Sequence, residues 1–311
     1  LKNRILMTCV ILLTTKNGEK FLKKQLDSIQ SQAYKDWIIY ASDDDSTDNT
    51  LNILLRYQKK WGKKKLNIYQ GPNQGFAKNF WSLIHRVKDK RVKYIAFCDQ
   101  DDVWQTEHLQ RAIDVMRNDL KTPQVFGSRS QYINQEGMPF NLSPKFSKQP
   151  CFRNALVQNI AGGNTLILNA SLLIYLQKLP LQSPIIAHDW LVYQIVTAIE
   201  GRFIYSEHPS ILYRQHRGNI IGRNDRYIDQ IKRLYYLFQG RFRYWNNQNL
   251  ACLQYIHKDI SPKNKEVLRL FTNYRDQSFI IRFVNIYKLD LFRQTLCGQL
   301  ALYLGFLLKK I

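Results

Sequence analysis

Two short runs of carboxylates stand out among the 311 residues: Asp43-Asp44-Asp45, with Asp48 close behind, and Asp99 with Asp101-Asp102. Each follows directly on an apolar stretch, WIIYAS in one case and YIAFC in the other. Carboxylates packed this closely repel one another unless a cation or hydrogen-bond donors compensate them. Acids are the minority charge, 24 Asp+Glu against 46 Lys+Arg for a net +22, so their concentration in two places needs a chemical reason. A hard divalent ion supplies one, because Mg²⁺ or Mn²⁺ takes one or two carboxylates together with phosphate oxygens. The implied chemistry is the binding of a metal-bridged diphosphate. The plainer reading of residues 43–48 is turn and helix-start chemistry, which Asp and Ser both favour.

The elements that must position these residues alternate from residue 4 to about 120. RILMTCVILLTT, DWIIYASD, KLNIYQG and VKYIAFCD read as strands, apolar on both faces as in a buried parallel sheet. EKFLKKQLDSIQSQ, TDNTLNILLRYQKKWG and FAKNFWSLIHRVK between them space their apolar residues near 3.6, and Ser46 or Thr47 with Asp48 marks a helix start. Such alternation predicts right-handed βαβ units and a mostly parallel sheet, whose ligands bind beyond the carboxyl ends of the strands. All four strands end in polar residues, namely TTKNG, SDDDS, GPNQG and DQDD. After residue 120 the pattern changes: QVFGSRSQYINQEG reads as a strand or two, GGNTLILN as a short strand, IIAHDWLVYQIVTAIEG as a helix and RFIYSEHPSILYRQH as two strands. From about Arg223 onward the sequence reads as helix after helix, which sets a boundary near residues 218–225.

In order and spacing, ILLTTKNGEKFLKKQLDSIQSQ, ASDDDSTDNT, NQGFAKNFWSLI, YIAFCDQDDVW, GGNTLILN, AHDWLVYQ and YRQHRGN resemble glycosyltransferase family 2 across about residues 5–220. This is the large inverting family with a GT-A fold and nucleotide-sugar donors. DQDDVW, HDW and YRQH together resemble its bacterial rhamnosyltransferase-like branch, which builds surface polysaccharides. The resemblance implies a GT-A (Rossmann-like), mixed but mainly parallel sheet flanked by helices, spanning a catalytic domain of residues 1–222. It implies that Thr15 and Asn17 close the first strand against the nucleotide. Asp43 and Asp44 would bind the donor, Asp44 meeting its base or ribose; Asp45 stands where the family usually has Gly. Lys78 would offer a cation to the nucleotide end, with Asn79 nearby. Asp99-Gln100-Asp101 matches the DxD element, with Asp101 the metal ligand and Asp99 turned to the donor sugar. Asp189 matches the late acidic general base, and His216 would join diphosphate and metal. His188 reads as a structural neighbour of Asp189. An acceptor hydroxyl is a weak nucleophile, so a positioned carboxylate must take its proton, while a metal and nearby cations stabilise the leaving diphosphate.

The five cysteines are scattered without a CxxC pair, which excludes a cysteine zinc site and fits a reducing compartment. No run approaches ~18 uninterrupted apolar residues, so an ordinary membrane span is not expected. Lys2, Arg4 and the apolar run after them resemble a leader, but without a small-residue cleavage site they read as a buried strand. Residues 223–311 carry sixteen basic and six acidic side chains, denser in positive charge than the rest. With no nucleic-acid-binding signature, an anionic membrane surface is the expected partner, together with a dTDP- or UDP-sugar and a saccharide or lipid-linked oligosaccharide acceptor. This places the chain in the cytoplasm, peripheral on the inner face of the plasma membrane, with its basic amphipathic helices at the lipid or in a homo-oligomer. Three other readings compete with this one. A haloacid-dehalogenase-type phosphatase would use Asp99 as nucleophile, but its motif would end the fourth strand instead of the first. A basic nucleic-acid binder leaves the carboxylates without purpose. A nucleotidyltransferase lacks its glycine-rich loop.

Overall fold

The computed structural model describes residues 8–216 and 235–311. Its centre is β1 (Thr8–Thr15), β2 (Trp37–Asp43), β3 (Leu66–Gln70) and β4 (Val92–Cys98), all parallel in the order β3-β2-β1-β4. The helices α1 (Leu22–Gln30), α2 (Thr50–Trp61) and α3 (Phe76–Arg86) link them, so the four carboxyl ends share one edge. β1 is buried on both faces, and its period of two assigns its residues to two cores. Val10 and Leu12 join Ile95, Phe97 and α3 on one side. Cys9, Ile11 and Leu13 join α1 and α4 (His108–Met116) on the other.

Beyond β4 the sheet is mixed. β5 (Val103–Trp104), β6 (Gln124–Ile133), β7 (Pro139–Leu142), β8 (Ile167–Asn169) and β9 (Arg202–Arg214) extend it in the order β4-β8-β6-β9-β5, with β7 on β6. β8 is antiparallel to both β4 and β6, and β9 is parallel to β6. The two strands expected in RFIYSEHPSILYRQH are one long strand, β9. Its halves pair with β6 on either side of an irregularity where residues 207–210 oppose Arg129 alone. The intervening helices are α5 (Phe152–Ala155), α6 (Ala170–Leu176) and α7 (His188–Ala198). Every residue of α7 is buried.

The expected boundary between body and tail lies outside the described residues. Past it come α8 (Arg241–Gln254), α9 (Pro262–Arg275), α10 (Phe279–Asn285) and α11 (Leu296–Leu307). Leu253, Phe271, Leu289 and Phe306 from this stretch belong to the same buried cluster as Val10 and Phe97 of the sheet. Each such side chain contributes about 1.5–3 kcal/mol by leaving water. Polar contacts repeat the connection: Asn264 Nδ2 donates to the carbonyls of Thr197 and Ala198, and Asn154 Nδ2 to that of Phe292.

Candidate active site

The first three strand ends form a hydrogen-bonded platform. Asp43 accepts the Thr15 hydroxyl at 2.7 Å, the Ser46 hydroxyl at 2.7 Å and the Ser46 amide at 2.9 Å. The buried Asp44 carboxylate accepts the amides of Asn73 (2.6 Å) and Gly75 (3.2 Å), which shapes the loop entering α3. Asn17 takes the Thr47 amide on its side-chain oxygen at 2.8 Å. Thr15 and Asn17 thus brace the loop after β2. Asp45 sits at φ 68°, the left-handed region that a glycine would occupy at no cost, and Asp is among the few other residues that tolerate it. Gly71 is close-packed: a Cβ there would lie 2.6 Å from Asp44 Oδ1 and 2.9 Å from Asn79 Oδ1. Asn79 donates to the Ser42 carbonyl at 3.0 Å, and its buried oxygen has no protein partner.

Lys78 is placed differently from the nucleotide-facing position inferred for it. Its ammonium donates to the carbonyls of Leu181 and Ser183, tying α3 to the loop before α7, and burial lowers its pKa. The cation that reaches the platform is Lys16. Its Nζ donates to the carbonyls of Asp44 (2.5 Å) and Asp45 (2.9 Å) and to Asn73 Oδ1 (3.2 Å).

The fourth strand end carries the second cluster. Gln100 grips the backbone of Lys16 from both sides, accepting its amide and donating to its carbonyl at 2.8 Å each. Gly18 leaves room for this, since a Cβ there would fall 2.2 Å from Gln100 Oε1. Asp101 Oδ2 lies 2.7 Å from His216 Nε2. Burial, then Asp101 and Asp189, hold the Asp99 carboxyl well above the usual carboxylate range. Asp102 is fully buried, and desolvation, then Asp101 and Asp99, also hold its carboxyl well above the usual range.

Asp189 opens α7. Its Oδ1 accepts the Trp190 amide at 2.8 Å, and its Oδ2 accepts Asn159 Nδ2 at 2.9 Å and the Gly163 amide at 3.2 Å. Burial pushes its pKa up to about 6 against these stabilising bonds. The turn holding Gly163 also holds Asn164, whose amide donates to Asp102, so one short segment joins the two acid sites. His188 is buried among Phe76, Phe80 and Phe97, which pushes its pKa down to about 3 and keeps the ring neutral.

Four residues that position this site were not singled out from the sequence. Arg214 is buried at the end of β9. It donates to the carbonyls of Asp101 (3.0 Å), Asn134 (3.0 Å) and Gln135 (2.9 Å), its amide to Asp102 Oδ1 (3.1 Å), and it stacks over Phe21. Asn159 and Asn164 aim the two acids, and Lys16 holds the platform. The available signal was adjacency: Arg214 stands two residues before His216, and Asn164 follows a Gly pair.

Among the described residues no three His, Cys, Asp or Glu side chains form a preformed metal cage. Asp101 and His216 do present two adjacent ligand atoms of the right type. A divalent ion that completes its shell with phosphate oxygens and water needs no more from the protein. Burial and mutual repulsion favour the neutral form of the neighbouring Asp99 and Asp102 carboxyls, and a bound cation would shift them back toward the charged form.

A mixed sheet with acids at its parallel strand ends is the frame on which the comparisons with known proteins converge. Residues 10–173 match the family described as Glycosyl transferase family 2, and the chain belongs to that family. The dTDP-rhamnosyl transferase RfbG of Shigella flexneri is 32% identical over 234 residues, 71% of this chain and 78% of that protein. WfgD of Escherichia coli, a UDP-Glc:alpha-D-GlcNAc-diphosphoundecaprenol beta-1,3-glucosyltransferase, is 30% identical over 106 residues, 34% of this chain and 40% of that protein. Among solved structures, residues 1–349 of S. aureus TarS align with a TM-score of 0.57 at 18% identity, covering 98% of this chain and 81% of that one. The fold is therefore GT-A and the protein a glycosyltransferase. The phosphatase and nucleic-acid-binding alternatives fall with that membership.

Proposed function

We propose that this glycosyltransferase transfers a sugar from a nucleoside-diphosphate donor to a hydroxyl of a lipid-linked saccharide, with inversion at the anomeric carbon, in the assembly of a bacterial surface polysaccharide. The observation that carries the mechanism is Asp189. Its carboxylate is fixed by three donors, and Oδ1 accepts only one of them, leaving a lone pair for the acceptor hydroxyl. With a pKa near 6 it is ionised at neutral pH yet more basic than an ordinary carboxylate. As the acceptor oxygen bonds to the anomeric carbon, Asp189 takes its proton, and the bond from that carbon to the diphosphate breaks. One displacement completes the transfer without a glycosyl-enzyme.

The platform of Thr15, Asn17, Asp43, Asp44 and Asn79 would receive the nucleoside, and Asp99 and Gln100 the donor sugar. Asp101 and His216, with Asp99 beside them, would hold a divalent ion that neutralises the departing diphosphate. The similarity to RfbG favours a dTDP-linked 6-deoxyhexose such as rhamnose as donor, with UDP-sugars next. The similarity to WfgD favours an acceptor on a diphosphate-linked polyprenol, which would bring the enzyme to the inner face of the plasma membrane.

The test is a screen of dTDP-, UDP- and GDP-sugars with Mn²⁺ or Mg²⁺, followed by NMR of the product. One donor class should be consumed, and the new linkage should have inverted configuration. Retained configuration rules out the single displacement, and full activity in excess EDTA removes the metal from the mechanism.

A further inference from the structure

α10 is built inside out. Its one charged side chain, Arg282, is buried, while Phe279, Ile280, Phe283 and Val284 face outward with between 55% and 73% of their surface exposed. The guanidinium of Arg282 donates to the carbonyls of Gln277 and, at 2.7 Å, Leu307, which ties α10 to the end of α11. α11 repeats the pattern. Leu302 and Phe306 pack inward, whereas Leu296 and Leu300 follow one another on an outer face at 77% and 60% exposure. The two outer faces come from helices that are in contact. Monomeric soluble proteins rarely leave contiguous apolar patches of this kind uncovered.

We propose that these two outer faces form a docking surface for an anionic lipid bilayer. Residues 279–311 contain five basic side chains and one acidic, Asp290. Lys288 and Lys309, which follow α10 and α11 by two or three residues, are exposed, and Lys310 is partly so. An apolar face rimmed by lysines suits the boundary between acyl chains and acidic headgroups. α11, at about 18 Å for its 12 residues, is far short of a ~30 Å hydrocarbon core, so the helices lie in the interface. No helix among the described residues is long and apolar enough to cross a membrane. Charge also decides against a second copy as the cover: the chain carries +22, and pairing like faces would bring two lysine rims together. The surface deepens the reading of a lipid-linked acceptor, since it would hold the enzyme where such an acceptor is presented.

Vesicle flotation of the full chain needs neither donor nor acceptor, so it can fail independently of that reading. The full chain should float with phosphatidylcholine vesicles containing phosphatidylglycerol at low salt, and much less with phosphatidylcholine alone. The variant Ile280→Ser/Phe283→Ser/Leu296→Ser/Leu300→Ser should lose at least about tenfold in the vesicle partition coefficient. Lys309→Glu/Lys310→Glu, which leaves the apolar faces intact, should lose about tenfold or more on the anionic vesicles alone. Both should keep the donor hydrolysis rate of the parent. A parent chain that stays at the bottom with anionic vesicles overturns the proposal, as do variants that float like the parent. Light scattering that shows a dimer, split by the four-serine variant, assigns the surface to a second copy instead.

Discussion

The two carboxylate clusters end the strands on either side of β1 and are built in different ways. At the end of β2 the acids are surrounded by donors: Asp43 accepts three hydrogen bonds, Asp44 two, and Asp48 bonds from Thr50 and Glu19. At the end of β4 the dominant influence on Asp99 and Asp102 is desolvation, followed by neighbouring negative charge. The first cluster spends its charge on shaping loops, and in the second burial favours the protonated, neutral carboxyl until a cation draws the proton off. Substitutions should show the difference, with loss of stability weighing more in the first cluster and loss of metal-dependent binding more in the second.

The largest effect belongs to Asp189. Asp189→Asn keeps the shape but cannot accept a proton, so kcat should fall by about 10²–10⁴ while donor affinity persists. In the parent enzyme the ionised form is the active one. The rate should therefore decline about tenfold per pH unit below pH ~6, a limb that the Asn variant lacks. Next comes Asp101→Ala, which should weaken Mn²⁺-dependent binding of a nucleoside diphosphate at least about tenfold by calorimetry while leaving the melting temperature within a few degrees. The first cluster should behave in reverse. Asp43→Ala strips the acceptor from Thr15 and Ser46 and should cost about 1–3 kcal/mol in denaturant unfolding. If it instead left stability unchanged and abolished only metal binding, the division between the clusters would be wrong. The smallest effect concerns Asp45: Asp45→Gly should shift stability by less than about 0.5 kcal/mol, whereas Asp45→Val, forced to positive φ, should cost about 1–2 kcal/mol.

Much of this division was legible before any coordinates. The apolar strands of the first half and the acids at their ends follow from local pattern, because parallel strands buried on both faces leave little ambiguity. The helix start was nearly legible as well: α2 begins at Thr50, whose amide the Asp48 carboxylate accepts. Lys78 shows where such reasoning stops. The family resemblance points it toward the nucleotide, but its rotamer is set by two carbonyls about a hundred residues away. Arg214 was hidden for the same reason, since its partners at 101, 102, 134 and 135 meet only when β9 closes against β6. The split register of β9 likewise depends on pairing and leaves no local signature.

α7 is completed by residues made long after it. Ser261 and Asn264 satisfy carbonyls in its last turn, and Phe242 packs on Trp190 in its first. At a translation rate of ~5–20 residues per second, the roughly 65 residues between Ala198 and Asn264 take about 3–13 s to emerge. Throughout that interval a nascent helix with no solvent-facing side waits beside the ribosome with its outer surface bare. Chaperone capture competes with closure during those seconds. A change such as Asn264→Ala would accordingly be read first in the soluble yield from cells, ahead of any loss in the specific activity of the protein recovered.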